Sequence, residues 1–128
     1  MMTDCSGTPL WFFSLEFFSL NGVKESLISV QDESGADVNI LLYLLWQGSV
    51  RRHLSGEDLA AIVQSTDLWN QDVVVPLRHV RRFLKEKQNG WPSERVQSLS
   101  ENVKSIEIDA EKIQQNYLFN ISNERSLG

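Results

Sequence analysis

The chain has 128 residues, 41% hydrophobic and 23% charged, with three prolines, seven glycines and one cysteine, values of an ordinary globular domain rather than of a disordered, fibrous or disulfide-stapled chain. Its formal charge of -5 argues against general nucleic-acid binding, which needs a basic surface to displace counterions from phosphate. The lone Cys5 leaves no intramolecular disulfide and no cysteine-based zinc site, which fits a reducing cytoplasm.

The N-terminal residues 1–7 are small and polar, and Thr8-Pro9 then supplies an N-cap type followed by the residue best tolerated in a first helical turn. Helix is predicted from about Pro9 to Ser19. Leu10, Trp11, Phe12, Phe13, Leu15, Phe17 and Phe18 make it apolar on all sides, so it belongs in the core or offers an aromatic surface to a partner, with Glu16 reaching solvent or a cation. The run Leu10 to Leu20 lacks the basic flank of a signal peptide, because Asp4 precedes it and Glu16 interrupts it. No run reaches the roughly 20 apolar residues that span a bilayer.

After the Asn21-Gly22 break, helical spacing resumes from Val23 to Glu33 with Val23, Leu27, Ile28 and Val30 inward. Gly35 ends that helix. Asp37 caps the next, which runs to Gly48 and is apolar on nearly every side, as expected of a helix surrounded by others. Within it Asn39, Tyr43 and Trp46 share one side. Buried there, Asn39 and Tyr43 either bond to neighbouring helices and set their register or supply polar groups to a ligand pocket.

A basic connection, Arg51-Arg52-His53, leads to Ser55, which caps a short helix from Gly56 to Ser65 with Leu59, Ile62 and Val63 on its buried edge. The next helix covers Leu68 to Gln88 and contains Pro76, which predicts a kink. Trp69, Val73, Leu77, Val80 and Leu84 project to one face, and Arg78, Arg81, Arg82 and Lys85 gather on an adjoining face that carries no acidic residue of the same helix. Those cations need answering from elsewhere, by interhelical carboxylates such as Asp32, Asp37 or Glu16, or by an anionic ligand or partner.

Asn89-Gly90-Trp91-Pro92-Ser93 reads as a stop and restart, with Ser93 capping a final helix from Glu94 to Phe119. There Val96, Leu99, Val103, Ile106, Ala110, Ile113 and Tyr117 form a heptad seam that packs back on the preceding helix or pairs with a second copy. The expected fold is an all-α, single-domain bundle of about six helices over residues 1–119, with a polar, frayed tail over 120–128.

Catalytic signatures are missing: there is no glycine-rich phosphate loop, no nucleophile elbow, and only two histidines, His53 and His79. Asp32 with Asp37, and Asp67 with Asp72, lack the spacing of a metal-binding loop, so no metal, cofactor or catalytic residue is assigned. Three stretches do carry a likeness: Leu10-Trp11-x-Phe13, Gln31-Asp32-x-x-Gly35-Ala36-Asp37-Val38-Asn39-x-Leu41-Leu42, and Val74-x-Pro76-Leu77-Arg78-x-Val80-Arg81-Arg82-x-Leu84-Lys85. Together they resemble an uncharacterised bacterial domain-of-unknown-function family over most of residues 9–117. That resemblance implies an intracellular bacterial helical protein and no particular activity.

The first functional expectation is a non-enzymatic interaction module, presenting its aromatic first helix, its heptad helix or its Arg-rich face to a protein partner or a second copy. The alternative is a bundle pocket for a small anionic ligand, binding or enzymatic, near Asn39, Tyr43, Arg78 and Arg82. A nucleic-acid role for Arg78, Arg81, Arg82 and Lys85 is opposed by the acidic remainder.

Overall fold

The computed structural model describes residues 8–50, 54–86 and 90–125; Cys5, the Arg51-Arg52-His53 connection and Asn89 lie outside them. Among the described residues there is no strand. The helices are α1 (Pro9–Phe18), α2 (Val23–Ser34), α3 (Val38–Ser49), α4 (Gly56–Trp69), α5 (Val75–Lys85) and α6 (Ser93–Arg125). A π-helical segment, Asn70–Val74, joins α4 to α5 without interruption, so the described bundle is built of five rods rather than about six.

The caps follow the local chemistry. Thr8 Oγ1 accepts from the Trp11 N–H at 3.1 Å, and Ser55 Oγ accepts from the Asp58 N–H at 3.0 Å. Gly35 closes α2 at a φ of 71°, a left-handed conformation that glycine adopts without Cβ strain, and its N–H donates to the Gln31 carbonyl at 3.0 Å. Asp37 Oδ1 then accepts from the Asn39 N–H at 3.0 Å and opens α3.

The π-helical segment answers the proline. Pro76 has no N–H to return to Asp72, and the turn ahead of it is widened so that the Val75 N–H reaches back five residues to the Asn70 carbonyl. One consequence is rotational. The extra residue turns α5 relative to an uninterrupted α-helical count, which brings Val74, Leu77, Arg78 and Arg81 toward the bundle and leaves Val80 exposed. The straight projection from Trp69 to Leu84 therefore misassigns Val80.

Around α3 the core gathers Leu10, Ile40, Tyr43, Trp46, Ile62 and Leu118, with Phe13, Leu44, Leu54, Phe119 and Ile121 packed against it. The rings of Trp46 and Phe119 tilt against each other at 5.4 Å. Several apolar expectations need correcting, since Ile28 and Val30 of α2 and Val63 of α4 are exposed rather than inward. On α1 only Leu10 and Ser14 are buried, while Phe12 and Leu15 are exposed. On α6 the inward line is Ser100, Val103, Glu107, Ala110, Gln114 and Leu118, whereas Leu99 (51% exposed), Ile106 (53%), Ile113 (43%) and Tyr117 (45%) face out. The heptad repeat is real, but its second row is the polar one. Polar groups on α3 and α5 need partners, and α6 turns its Ser, Glu and Gln rather than its Leu and Ile toward them.

Helix α6 packs along α5 as an intramolecular hairpin and also touches α1, α3 and α4. Trp69 Nε1 donates to the Ala110 carbonyl at 2.9 Å, tying the rod to α6. Helix α6 continues to Arg125, beyond the expected end at Phe119. Among the described residues no helix is long and apolar enough to cross a membrane.

Candidate functional site

Two polar clusters meet between α3, α5 and α6. The first starts at the α3 cap, where Asp37 Oδ2 accepts from Gln114 Nε2 at 2.9 Å. Gln114 Oε1 accepts from Asn39 Nδ2 at 2.8 Å, and Asn39 Oδ1 accepts from Gln115 Nε2 at 3.0 Å. Gln115 Oε1 in turn accepts from Ser14 Oγ at 3.1 Å. This chain crosses from α3 to α6 to α1, and Ser14, Asn39, Gln114 and Gln115 are all buried. Such a run of side-chain amides is tolerated in a core because its members answer one another.

The second cluster is ionic. Arg81 Nε donates to Glu107 Oε1 at 2.5 Å and its Nη2 to Oε2 at 3.4 Å. Arg78 approaches the same carboxylate, its Nε 3.6 Å from Glu107 Oε2, and its Nη2 stands 4.0 Å from Glu111 Oε2. Arg78 Nε is buried with no hydrogen-bond partner. Glu107 thus serves two guanidinium groups. Burial first, then the neighbouring Glu107 charge, push the Glu111 carboxyl up from 4.5 to about 7, while Arg78 and Arg81 pull the other way.

Above these clusters lies a cavity of about 470 Å³. Trp11, Leu15 and Phe18 of α1, Leu27 and Ile28 of α2 and Val38 of α3 form its apolar side. Arg78, Arg81 and Lys85 of α5 with Lys104, Glu107 and Glu111 of α6 form its charged side, and Lys24 reaches it from α2.

Of the residues singled out in the sequence, Asn39, Arg78, Arg81 and Lys85 come together here. Tyr43 does not line the cavity. It is fully buried in the core with Leu10 and Ile62. Arg82 turns outward to pair with Asp32 of α2, one of the carboxylates anticipated for it, across a half-exposed contact. Sequence reasoning missed Trp11, Lys104, Glu107, Glu111 and Gln115. The one-turn spacing of Glu107 and Glu111 was a usable signal, since it matches an arginine pair on a facing helix.

Each of the three stretches singled out in the sequence for their resemblance reaches this cavity: Trp11 from the first, Gln31, Asp37, Val38 and Asn39 from the second, Arg78, Arg81 and Lys85 from the third. No group of three or more His, Cys, Asp or Glu side chains among the described residues is arranged to hold a metal ion. No curated protein and no solved structure matches the chain. The family model described as a protein of unknown function, DUF2390, matches residues 9–118, and the chain belongs to that family.

Proposed function

We propose that this chain is a ligand-binding helical bundle, acting in the bacterial cytoplasm, whose cavity takes a small organic anion. The observation that carries the reading is the charge of the lining. Among the described residues Lys24, Arg78, Arg81, Lys85 and Lys104 line the cavity against Asp37, Glu107 and Glu111, a cationic surplus inside a chain of net charge -5. Asp37 is already engaged by the α3 N-terminus and Gln114, and Glu107 by two arginines. The volume falls in the range of about 300 to 1,000 Å³ usual for small-molecule sites.

Isothermal titration against a panel of small organic anions tests this. Arg78→Gln is expected to weaken binding at least tenfold, whereas Arg82→Ala, whose partner Asp32 lies outside the cavity lining, leaves it within about twofold. Equal losses for both would mean that the outer basic face, not the cavity, is the site.

One observation favours a second reading, the interaction module. Leu99, Ile106, Ile113 and Tyr117 form an exposed apolar row along α6, and such rows mark contact surfaces. Light scattering across a hundredfold range of concentration tests for self-association through it.

A further inference from the structure

We propose that the ligand of the cavity is an amphipathic organic anion, with a single-charged head held at Arg78 and Arg81 and an apolar chain laid against Trp11, Leu15, Phe18, Leu27 and Ile28. This rests on the binding reading above and adds the class of ligand. The two sides of the cavity differ in chemistry and in origin. The cationic floor comes mainly from α5 and α6, with Lys24 of α2 added, and the apolar wall mainly from α1 and α2, with Val38 of α3 and Ile108 of α6 added.

A compact inorganic anion would satisfy the floor and leave the wall wet. Leu15 and Ile28 on that wall are 50% and 40% exposed, so apolar surface is open to whatever enters. An alkyl or aryl chain would remove it from water, which is favourable in proportion to the area covered. The head carries one charge because of what opposes the two arginines that hold it; Lys85 and Lys104 line the same side of the cavity outside that pair. Glu107 opposes Arg78 and Arg81 together, leaving about one uncompensated guanidinium, with Glu111 beside it as a carboxyl close to its own titration.

The test is titration of the full chain at pH 7 with acetate, butanoate, hexanoate and octanoate, together with octanol, octyl phosphate and inorganic phosphate, each below its aggregation concentration. Affinity is expected to rise by up to about fourfold per added methylene, the value that follows from about 0.8 kcal/mol per buried CH₂. Octanol is expected to bind at least tenfold more weakly than octanoate. Ile28→Ser, at a half-exposed rim position, should flatten the chain-length dependence while circular dichroism stays unchanged.

Acetate or inorganic phosphate binding as tightly as octanoate would overturn the amphipathic assignment and leave anion binding standing. Octanol equal to octanoate would remove the charged head from the recognition. Octyl phosphate binding more than tenfold tighter than octanoate would overturn the single-charge head. If none of the anions binds, the binding reading and this inference fail together.

Discussion

Glu111 shows how one carboxyl can make stability depend on pH. Its folded value near 7 lies above its ordinary 4.5, so between these two the folded chain holds a proton that the unfolded chain has released. The contribution to stability is therefore greatest below pH 4.5, falls as pH rises through the window 4.5 to 7, and is flat above. Facing this group are Glu107 on its own helix, Arg78 and Arg81 on α5, and Asp37 ahead of α3, with Lys24 of α2 on the same cavity. Glu111→Gln is predicted to be more stable than the parent at pH 8, by about 1 to 3 kcal/mol, and no more stable at pH 4.5. Urea melts at both pH values check this, and a gain independent of pH would sink it. Asn39 is the other residue with a definite expectation. Asn39→Leu would strand Gln114 Oε1 and Gln115 Nε2 inside the bundle, at about 1 to 3 kcal/mol for each unsatisfied group. Chemical denaturation measures that loss. The position of Asn39 on a buried helix is legible from the sequence, because Asp37 and the apolar residues around it fix the helix and its burial. Its partners are not, since nothing local tells Gln114 and Gln115 from the polar residues of a solvated face.

Helix α6 carries the clearest divergence between pattern and packing. Two rows recur at heptad spacing beside Val96, Val103 and Ala110: Leu99, Ile106 and Ile113 on one side, and Ser100, Glu107 and Gln114 on the other. Hydrophobicity selects the first row, and the charges of Arg78 and Arg81 select the second. Periodicity therefore locates the helix, though it ends it at Phe119 where the helix runs on to Arg125, and it does not find the inward face. The energetic consequence reverses an expectation drawn from the seam. In the monomer, Leu99→Ala and Ile106→Ala are predicted to change stability by less than about 1 kcal/mol, as exposed positions do, while Val103→Ala, buried against the rod, is predicted to cost about 1 to 3 kcal/mol. Thermal melts at two protein concentrations check both. A loss for Leu99→Ala that grows with concentration would assign the row to a self-contact, because association stabilises by mass action. The π-helical segment is a similar case. Pro76 announces a disturbance, and only the structure shows it as an added residue ahead of the proline that rotates Arg78 and Arg81 inward.

Across the whole molecule the interior is divided by chemistry along α6. Toward its C-terminal part lie Leu118 and Phe119 with Tyr43, Trp46 and Ile62, an apolar core. Toward its middle lie Glu107 and Glu111 with Arg78 and Arg81, an ionic cluster beside the cavity. Helix α2 closes the cavity from the other side and contributes no buried residue. It is held by Leu27 and Ile28 at the cavity wall, by sparse contacts with α1 and α3, and by the half-exposed Arg82–Asp32 pair, which is worth at most about 1 kcal/mol in solvent. Helices with few buried contacts open locally at a small fraction of the global free energy. Hydrogen exchange is therefore expected to divide the chain. Amides of Ile40 to Trp46 in α3 and of Ile113 to Phe119 in α6 should exchange only with global unfolding, and those of Leu27 to Gln31 in α2 at least a hundredfold faster. A ligand seated against Leu27 and Ile28 would couple the two by burying the surface that α2 exposes when it opens, so saturating octanoate is expected to slow α2 exchange while leaving α3 unchanged. Uniform protection across α2, α3 and α6 would mean that the bundle unfolds as one unit and that α2 is no weaker than the core it covers.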